Sequence, residues 1–140
     1  MSTRSLIGLK RDGKIQYVYC HFDGYFEYNG VILYECYNTE QRVKELIKRD
    51  FFILERNIEK LDFIADELSE TKSIGTNKED IIQAMKAHGV EYFYIFDGKE
   101  WGFYERFGEK EGELRSSKEA YEEYQREQGQ IATSAEGGIA

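Results

Sequence analysis

Three residues in the first quarter of the chain have side chains that could do chemistry: Cys20, His21 and Asp23. They lie in the run YCHFDGYFEYNG, residues 19–30, among glycines and aromatic residues. A cysteine beside a histidine could act as a nucleophile with its base, and a histidine two residues from an aspartate could act as an oriented general base. The other interpretations are a recognition surface and a chain that turns from a strand into a helix.

The strand-like run 14–22 limits the catalytic interpretations. Successive side chains of a strand point to opposite faces, so Cys20 faces away from His21 and behaves as a small buried hydrophobe. His21 and Asp23 can share a face, but no serine of the chain lies in a nucleophile-elbow context. We therefore expect Asp23 to shape a turn with Gly24, and a small enzyme using His21 and Asp23 stays as an alternative.

Metal and cofactor binding are weakly supported. Structural zinc needs four ligands in paired spacing, whereas only Cys20 and His21 are neighbours among two cysteines and two histidines. The run GYFEYNG lacks the glycine spacing and the lysine of a phosphate loop. We expect no metal and no cofactor. The chain shows no signal-peptide pattern, no apolar run of about 18 residues and too few cysteines for a disulfide framework, which predicts a cytoplasmic protein with reduced thiols.

Charge and aromatic content favour protein binding. The formal net charge of −8 disfavours direct contact with nucleic acid, because such contact depends on Lys and Arg. It leaves open a basic protein partner, mimicry of nucleic acid, or simple solubility. Tyrosines cluster near the turns at Asp12-Gly13 and Asp97-Gly98, and they exceed what a small core can bury with every hydroxyl satisfied. They are Tyr17, Tyr19, Tyr25, Tyr28, Tyr34, Tyr92, Tyr94 and Tyr104. Some of them are expected to form a contact patch, with a core that uses tyrosine at its margin as the alternative.

The pattern of turns and apolar residues predicts an α+β fold. Two hairpins are expected, one around Asp12-Gly13 and one around Asp97-Gly98. Because an isolated hairpin is barely stable, we expect the two to join into one antiparallel sheet of about four strands, packed against several helices. Helical sections are predicted after Gly24, from about residue 38, over 51–68, from the cap Asn77 to Gly89, and after the capping box of Ser116 and Glu119. Residues 1–128 are expected to form a single domain and 129–140 a flexible tail.

A resemblance adds a biological setting. The patterns RSLIG, DGK, YVYCHFDGY, NGVIL and YNT, which lie within residues 3–47, resemble the opening of a group of small, mostly uncharacterised proteins carried by phages, prophages and plasmids. Residues 91–105 resemble the closing hairpin of that group more loosely, and 51–80 depart from it. The resemblance implies an accessory gene of a mobile element, and small acidic proteins of this kind often inhibit host defences, anti-CRISPR proteins being the familiar example.

Our first interpretation is therefore a non-enzymatic inhibitor that binds a CRISPR-associated effector complex in the host cytoplasm. Its expected contact residues are Asp23, Tyr25, Glu27 and Tyr28, with Glu119, Glu122 and Glu123 meeting basic protein surface.

The second interpretation is a sponge for a signalling nucleotide, with a pocket at His21 and Tyr25 and with Arg4 as the nearby cation. A homodimer through an aromatic sheet face is also open.

Overall fold

The computed structural model describes residues 3–64 and 72–137, which form an α+β fold with one mixed sheet. Its strand order is β3-β2-β1-β4-β5-β6. The strands are β1 Ser5–Arg11, β2 Lys14–Cys20, β3 Lys72–Gly75, β4 Tyr92–Phe96, β5 Trp101–Glu105 and β6 Arg115–Ser116, and the α-helices are α1 Val31–Cys36, α2 Glu40–Leu46, α3 Lys78–His88 and α4 Ser117–Gly137.

The general α+β class is as predicted, but the four-stranded antiparallel sheet is wrong. The two hairpins meet through β1 and β4, which run parallel with Ser5 opposite Tyr92. Parallel neighbours need a long crossover connection, and the chain from β2 to β4 supplies one that contains helices and the edge strand β3. The short strands β3 and β6 extend the sheet to six strands.

Both hairpins form where their turn residues predict them. Asp12 and Gly13 have φ values of 53° and 75°, the left-handed conformation that a two-residue turn between β1 and β2 requires. The second turn is longer, because Phe96 pairs with Trp101. There the Asp97 Oδ1 atom accepts hydrogen bonds from the backbone N–H groups of Lys99 and Glu100, at 2.9 and 2.8 Å.

Alternation along the strands sends apolar side chains into two cores, one on each face of the sheet. One face packs against α3 through residues such as Leu6, Ile15 and Phe93. The opposite face packs against α1, α2, α4 and the segment around Phe51, and it contains Cys20. Helices thus cover both faces of the sheet.

The helix predicted over 51–68 is absent from the part of that range that the structure describes. Phe51 instead extends the sheet: its N–H donates to the Tyr19 carbonyl at 3.0 Å, and its carbonyl accepts the His21 N–H at 3.2 Å. A single 3₁₀ turn, Ile58–Lys60, follows. Tertiary pairing of Phe51 therefore overrides the helical spacing of the apolar residues, and 65–68 lie outside the described residues.

Side-chain caps begin three of the helices, and a glycine ends α3 as the sequence predicts. Thr39 caps α2 and Asn77 caps α3, and Gly89 ends α3 in the left-handed conformation with φ of 65°. Ser116 accepts the Glu119 N–H at the start of α4. α4 continues to Gly137, across most of the segment 129–140, and the division into a domain and a tail stays a prediction.

Among residues 3–64 and 72–137, no helix has both the length and the apolar character needed to cross a bilayer.

Candidate functional site

The structure separates the thiol of Cys20 from the imidazole of His21. Cys20 ends β2 and is fully buried in the core that faces α1, whereas His21 is only half-buried beyond the strand. Burial raises the pKa of the Cys20 thiol to about 11, although hydrogen bonds from Asn29 and Ser5 oppose the rise. A thiol in that state is almost fully protonated near neutral pH, so it is a poor nucleophile.

His21 and Asp23 are not paired in the described part of the chain. The Nδ1 atom of His21 lies 2.8 Å from the Tyr19 hydroxyl. Asp23 has a φ of 54°, and the next residue, Gly24, donates its N–H to the Thr3 carbonyl at 2.8 Å. Asp23 therefore shapes the turn after β2, as its sequence context predicts, and His21 is oriented by a tyrosine instead of a carboxylate.

Packing explains most of the run 19–30. The amide of Asn29, which is fully buried, donates to the Ser5 hydroxyl at 3.0 Å and lies 3.5 Å from the Cys20 sulfur. The Tyr94 hydroxyl donates to the Gly24 carbonyl at 2.7 Å, deep in the core. Ser5 and Tyr94 are distant in sequence, so no local pattern could have identified these partners.

The glycines of this run are required by close contacts. A Cβ atom on Gly24 would lie 2.9 Å from the Ser5 Cβ, and one on Gly30 would lie 2.1 Å from the Cδ2 atom of Phe26. Phe26 begins a π-helical turn, Phe26–Gly30, and its ring stacks on Phe103 at 5.0 Å. The chain therefore enters α1 through an irregular π turn.

Among the described residues, no cluster of three or more His, Cys, Asp or Glu side chains could hold a metal ion.

The surface next to the π-helical turn contains the first group of predicted contact residues. Tyr25 is 37% exposed, its ring lies 6.4 Å from that of Tyr28, and Glu27 is exposed between them. The Tyr28 hydroxyl donates to the Leu54 carbonyl at 2.9 Å, so this tyrosine is held by the core margin. Tyr28 and Glu27 line a cavity of about 310 Å³ together with Tyr124 of α4.

The second predicted group lies on the exposed face of α4. Glu119, Glu122 and Glu123 are exposed, whereas Ala120 is buried on the inner side of the helix. The same helix places Tyr124 in the cavity beside Glu27, whereas the three carboxylates do not line that cavity.

A polar contact holds α4 against α1. The Tyr121 hydroxyl donates to one Glu35 oxygen, and the Arg56 Nη1 atom lies 2.7 Å from the other. The hydrogen bond from Tyr121, reinforced by Arg56, holds the pKa of the Glu35 carboxyl below its usual value.

The residues predicted for a nucleotide pocket are only partly brought together. Arg4 directly precedes the end of the ladder at which Ser5 pairs with Cys20. Burial raises the pKa of Tyr19, the tyrosine that orients His21, and the charge of Arg4 opposes that rise. Tyr25 instead packs against Tyr28.

Sequence reasoning missed two aromatic residues beside His21. Its ring lies 4.5 Å from Phe22, and Phe22 stacks on Phe52 at 6.5 Å with an angle of 26° between the rings. Phe22 is 40% exposed. The spacing of apolar residues predicts Phe52 in a helix, and only the pairing of Phe51 with the end of β2 places it here.

These arrangements offer exposed aromatic rings and carboxylates, while the Cys20 thiol is buried. No protein-family model, no curated protein and no solved structure matches the chain.

Proposed function

We propose that the protein is a non-enzymatic binding protein of a mobile genetic element that occludes a functional surface of a bacterial immune nuclease complex, a CRISPR effector being the expected target. The resemblance of residues 3–47 to accessory proteins of phages and plasmids supplies this setting. The single observation that supports a binding role is that α4 contributes Tyr124 to the cavity lined by Glu27 and Tyr28 while the same helix exposes Glu119, Glu122 and Glu123.

Chemistry of this surface fits a basic protein partner. Tyr25 offers a rigid, half-exposed ring that can bury apolar area without a large loss of side-chain entropy. The carboxylates of α4 complement surfaces that hold nucleic acid, and such complementarity raises the rate of association. The proposal places the protein in the host cytoplasm, where such nuclease complexes act.

The state of Cys20 supports a binding role over an enzymatic one. Its thiol is buried and protonated near neutral pH, and His21 lies outside the core. The residues of the run 19–30 that most resemble a catalytic group are thus occupied with packing and with the turn.

Co-expression with tagged CRISPR effector complexes, followed by size-exclusion chromatography and a nuclease assay, tests the proposal. The protein is expected to co-elute with one effector type and to inhibit its binding or cleavage of nucleic acid. Replacing Tyr25 by Ala should weaken the complex about tenfold or more, as expected for an aromatic anchor at an interface. Absence of co-elution with every effector type, at low and at high salt, contradicts the proposal.

Charge on α4 can be tested with a matched control. The triple variant Glu119→Gln, Glu122→Gln, Glu123→Gln should lower the association rate, and the difference should shrink as salt is added. The control variant changes three exposed carboxylates elsewhere by the same amount: Glu45→Gln, Glu79→Gln and Glu100→Gln. Equal effects of the two triple variants would show that only net charge matters.

A second candidate function is sequestration of a nucleotide at His21, supported by the stacked rings of Phe22 and Phe52 and by Arg4, which precedes the pairing of Ser5 with Cys20. Base stacking on aromatic rings and a basic side chain for phosphate are the required elements. A ligand at 100 times its Kd should stabilise the protein by about 2.7 kcal/mol, readily seen as a thermal shift. No shift across a panel of mono-, di- and cyclic nucleotides would exclude this candidate.

A further inference from the structure

A groove separates the edge strand β6 from the first turns of α4. It has a volume of about 320 Å³, and we call it the β6–α4 groove. Its lining includes Lys110, Glu113, Leu114, Glu119, Ala120 and Glu123. The groove is distinct from the cavity beside the π-helical turn, which Tyr124 lines from the same helix.

Leu114 makes the rim of the groove apolar. Its side chain is 64% exposed, although leucine is normally among the buried residue types. The side chain lies over Gly102, where an added Cβ would come within 3.0 Å of the Leu114 Cδ1 atom. Leu114 is therefore supported from below by β5 and stays exposed at the boundary between the β6–α4 groove and the cavity on the α3 side of the sheet, which leaves apolar surface for a partner to cover.

Carboxylates give the groove its charge. Glu113, Glu119 and Glu123 are exposed, and within the part of the chain that the structure describes none of the three is in an ion pair. The groove also contains Arg115, but its Nη1 atom is 2.6 Å from a Glu105 oxygen, so that cation is already neutralised.

The other basic residue that lines the groove is Lys110, which is exposed. Three carboxylates against this one lysine leave the groove negative. An apolar rim beside negative charge is complementary to a segment that carries both cations and an aliphatic side chain.

We propose that the β6–α4 groove binds a basic segment of a partner protein, whose aliphatic side chain covers Leu114 while its Lys or Arg residues meet Glu113, Glu119 and Glu123. This inference deepens the proposed function and rests on it, because it identifies the part of the partner's surface that α4 contacts. The groove would supply anchoring by apolar contact and selectivity for basic segments by charge.

A labelled peptide of twelve residues that alternates Lys and Leu is the probe, measured by fluorescence anisotropy against the full chain at low salt. Two further peptides, one alternating Lys and Ser and one alternating Glu and Leu, separate charge from apolar contact. The Lys–Leu peptide should bind at least about tenfold more tightly than either. Equal binding of the Lys–Ser peptide overturns the apolar part of the proposal.

Variants with matched controls test the location. Leu114→Ser should weaken binding of the Lys–Leu peptide about tenfold, whereas Phe107→Ser should not, since Phe107 is 63% exposed in the same loop but does not line the groove. Equal effects of the two variants would overturn the assignment to the groove.

Charge is tested within one helix. Glu119→Gln with Glu123→Gln should weaken binding about threefold to tenfold at low salt, and Glu122→Gln with Glu127→Gln should have a smaller effect. Both pairs are exposed on α4, but only the first lines the groove. Lys110→Gln should strengthen binding. Unchanged affinity in the first pair, with unfolding curves showing an intact fold, overturns the proposal.

The peptide measurements contain no effector complex, so their outcome is separate from that of co-elution. Groove binding without capture of an effector supports the groove and contradicts the identity of the target. Capture that is insensitive to Leu114→Ser supports the proposed function and overturns the groove.

Discussion

The run 19–30 and the segment 107–123, which contains β6 and the first turns of α4, differ in whether their potentially functional side chains are buried or exposed. The first directs Cys20 and Asn29 into the core, where they contact each other and Ser5. The second leaves Leu114 and several carboxylates exposed. The comparison shows that the residue types typical of active sites can serve packing, while an unremarkable mixture of Glu and Leu forms the accessible surface.

Thiol labelling tests this contrast with the largest expected effect. Cys20 is fully buried and its pKa is raised to about 11, whereas Cys36 is partly exposed near the Arg56 guanidinium. Native protein should react rapidly at one thiol, with Cys20 slower by roughly a thousandfold or more because it reacts only after unfolding. Mass spectrometry of the labelled protein checks this, and Cys36→Ser should remove the fast phase.

Truncating the packed ring of the first region should cost the most stability. Phe26→Ala is expected to lower the free energy of unfolding by about 3 to 5 kcal/mol, because the Phe26 ring is buried against Phe103. Leu114→Ala, at an exposed position, should change it by no more than about 0.5 kcal/mol. Urea unfolding gives both values, and comparable losses would contradict the contrast.

Gly30→Ala should destabilise the protein by about 1 to 3 kcal/mol through overpacking against the Phe26 ring. The backbone there is helical, with φ of −61°, so the expected loss is steric and not conformational. Gly129→Ala is the matched control: its added Cβ meets nothing within 4 Å, and it should stabilise α4 by about 0.5 to 1 kcal/mol. Stabilisation by both substitutions would show that Phe26 can move aside.

Acid titration of the contact between α1 and α4 should show the smallest effect. The folded-state pKa of Glu35 is lowered from 4.5, so its stabilising contribution is present above that pH and is lost as the pH falls through the folded-state value. The Glu35–Arg56 pair is partly exposed, which limits the contribution to about 1 kcal/mol at most. Glu35→Gln should flatten stability below pH 4.5, and Glu109→Gln should not.

Local signals predicted the elements well and their assembly poorly. Asp12-Gly13, Asn77 and Gly89 identify a turn and two helix ends because each acts through its own backbone conformation or a hydrogen bond three residues away. The helix predicted over 51–68 failed because Phe51 pairs with the end of β2, a contact that its neighbours in sequence do not encode.

The candidate surface was predictable in composition but not in position. The exposed carboxylates of α4 follow from helical periodicity around Ala120. The exposed position of Leu114 beside the groove could not be predicted from the sequence, because it depends on how β6 pairs with β5 and on the small residue Gly102 beneath it.

By itself the amino-acid sequence determined the hairpin turns, the helix caps and the alternation that sends Cys20 and His21 in different directions, since all of these depend on dihedral preferences and short-range periodicity. Only the tertiary structure decided that β1 and β4 lie parallel, that Asn29 is buried beside Ser5, and that α4 borders two grooves. Such features depend on contacts between residues far apart in the chain, and local preferences do not distinguish among the ways in which those contacts can form.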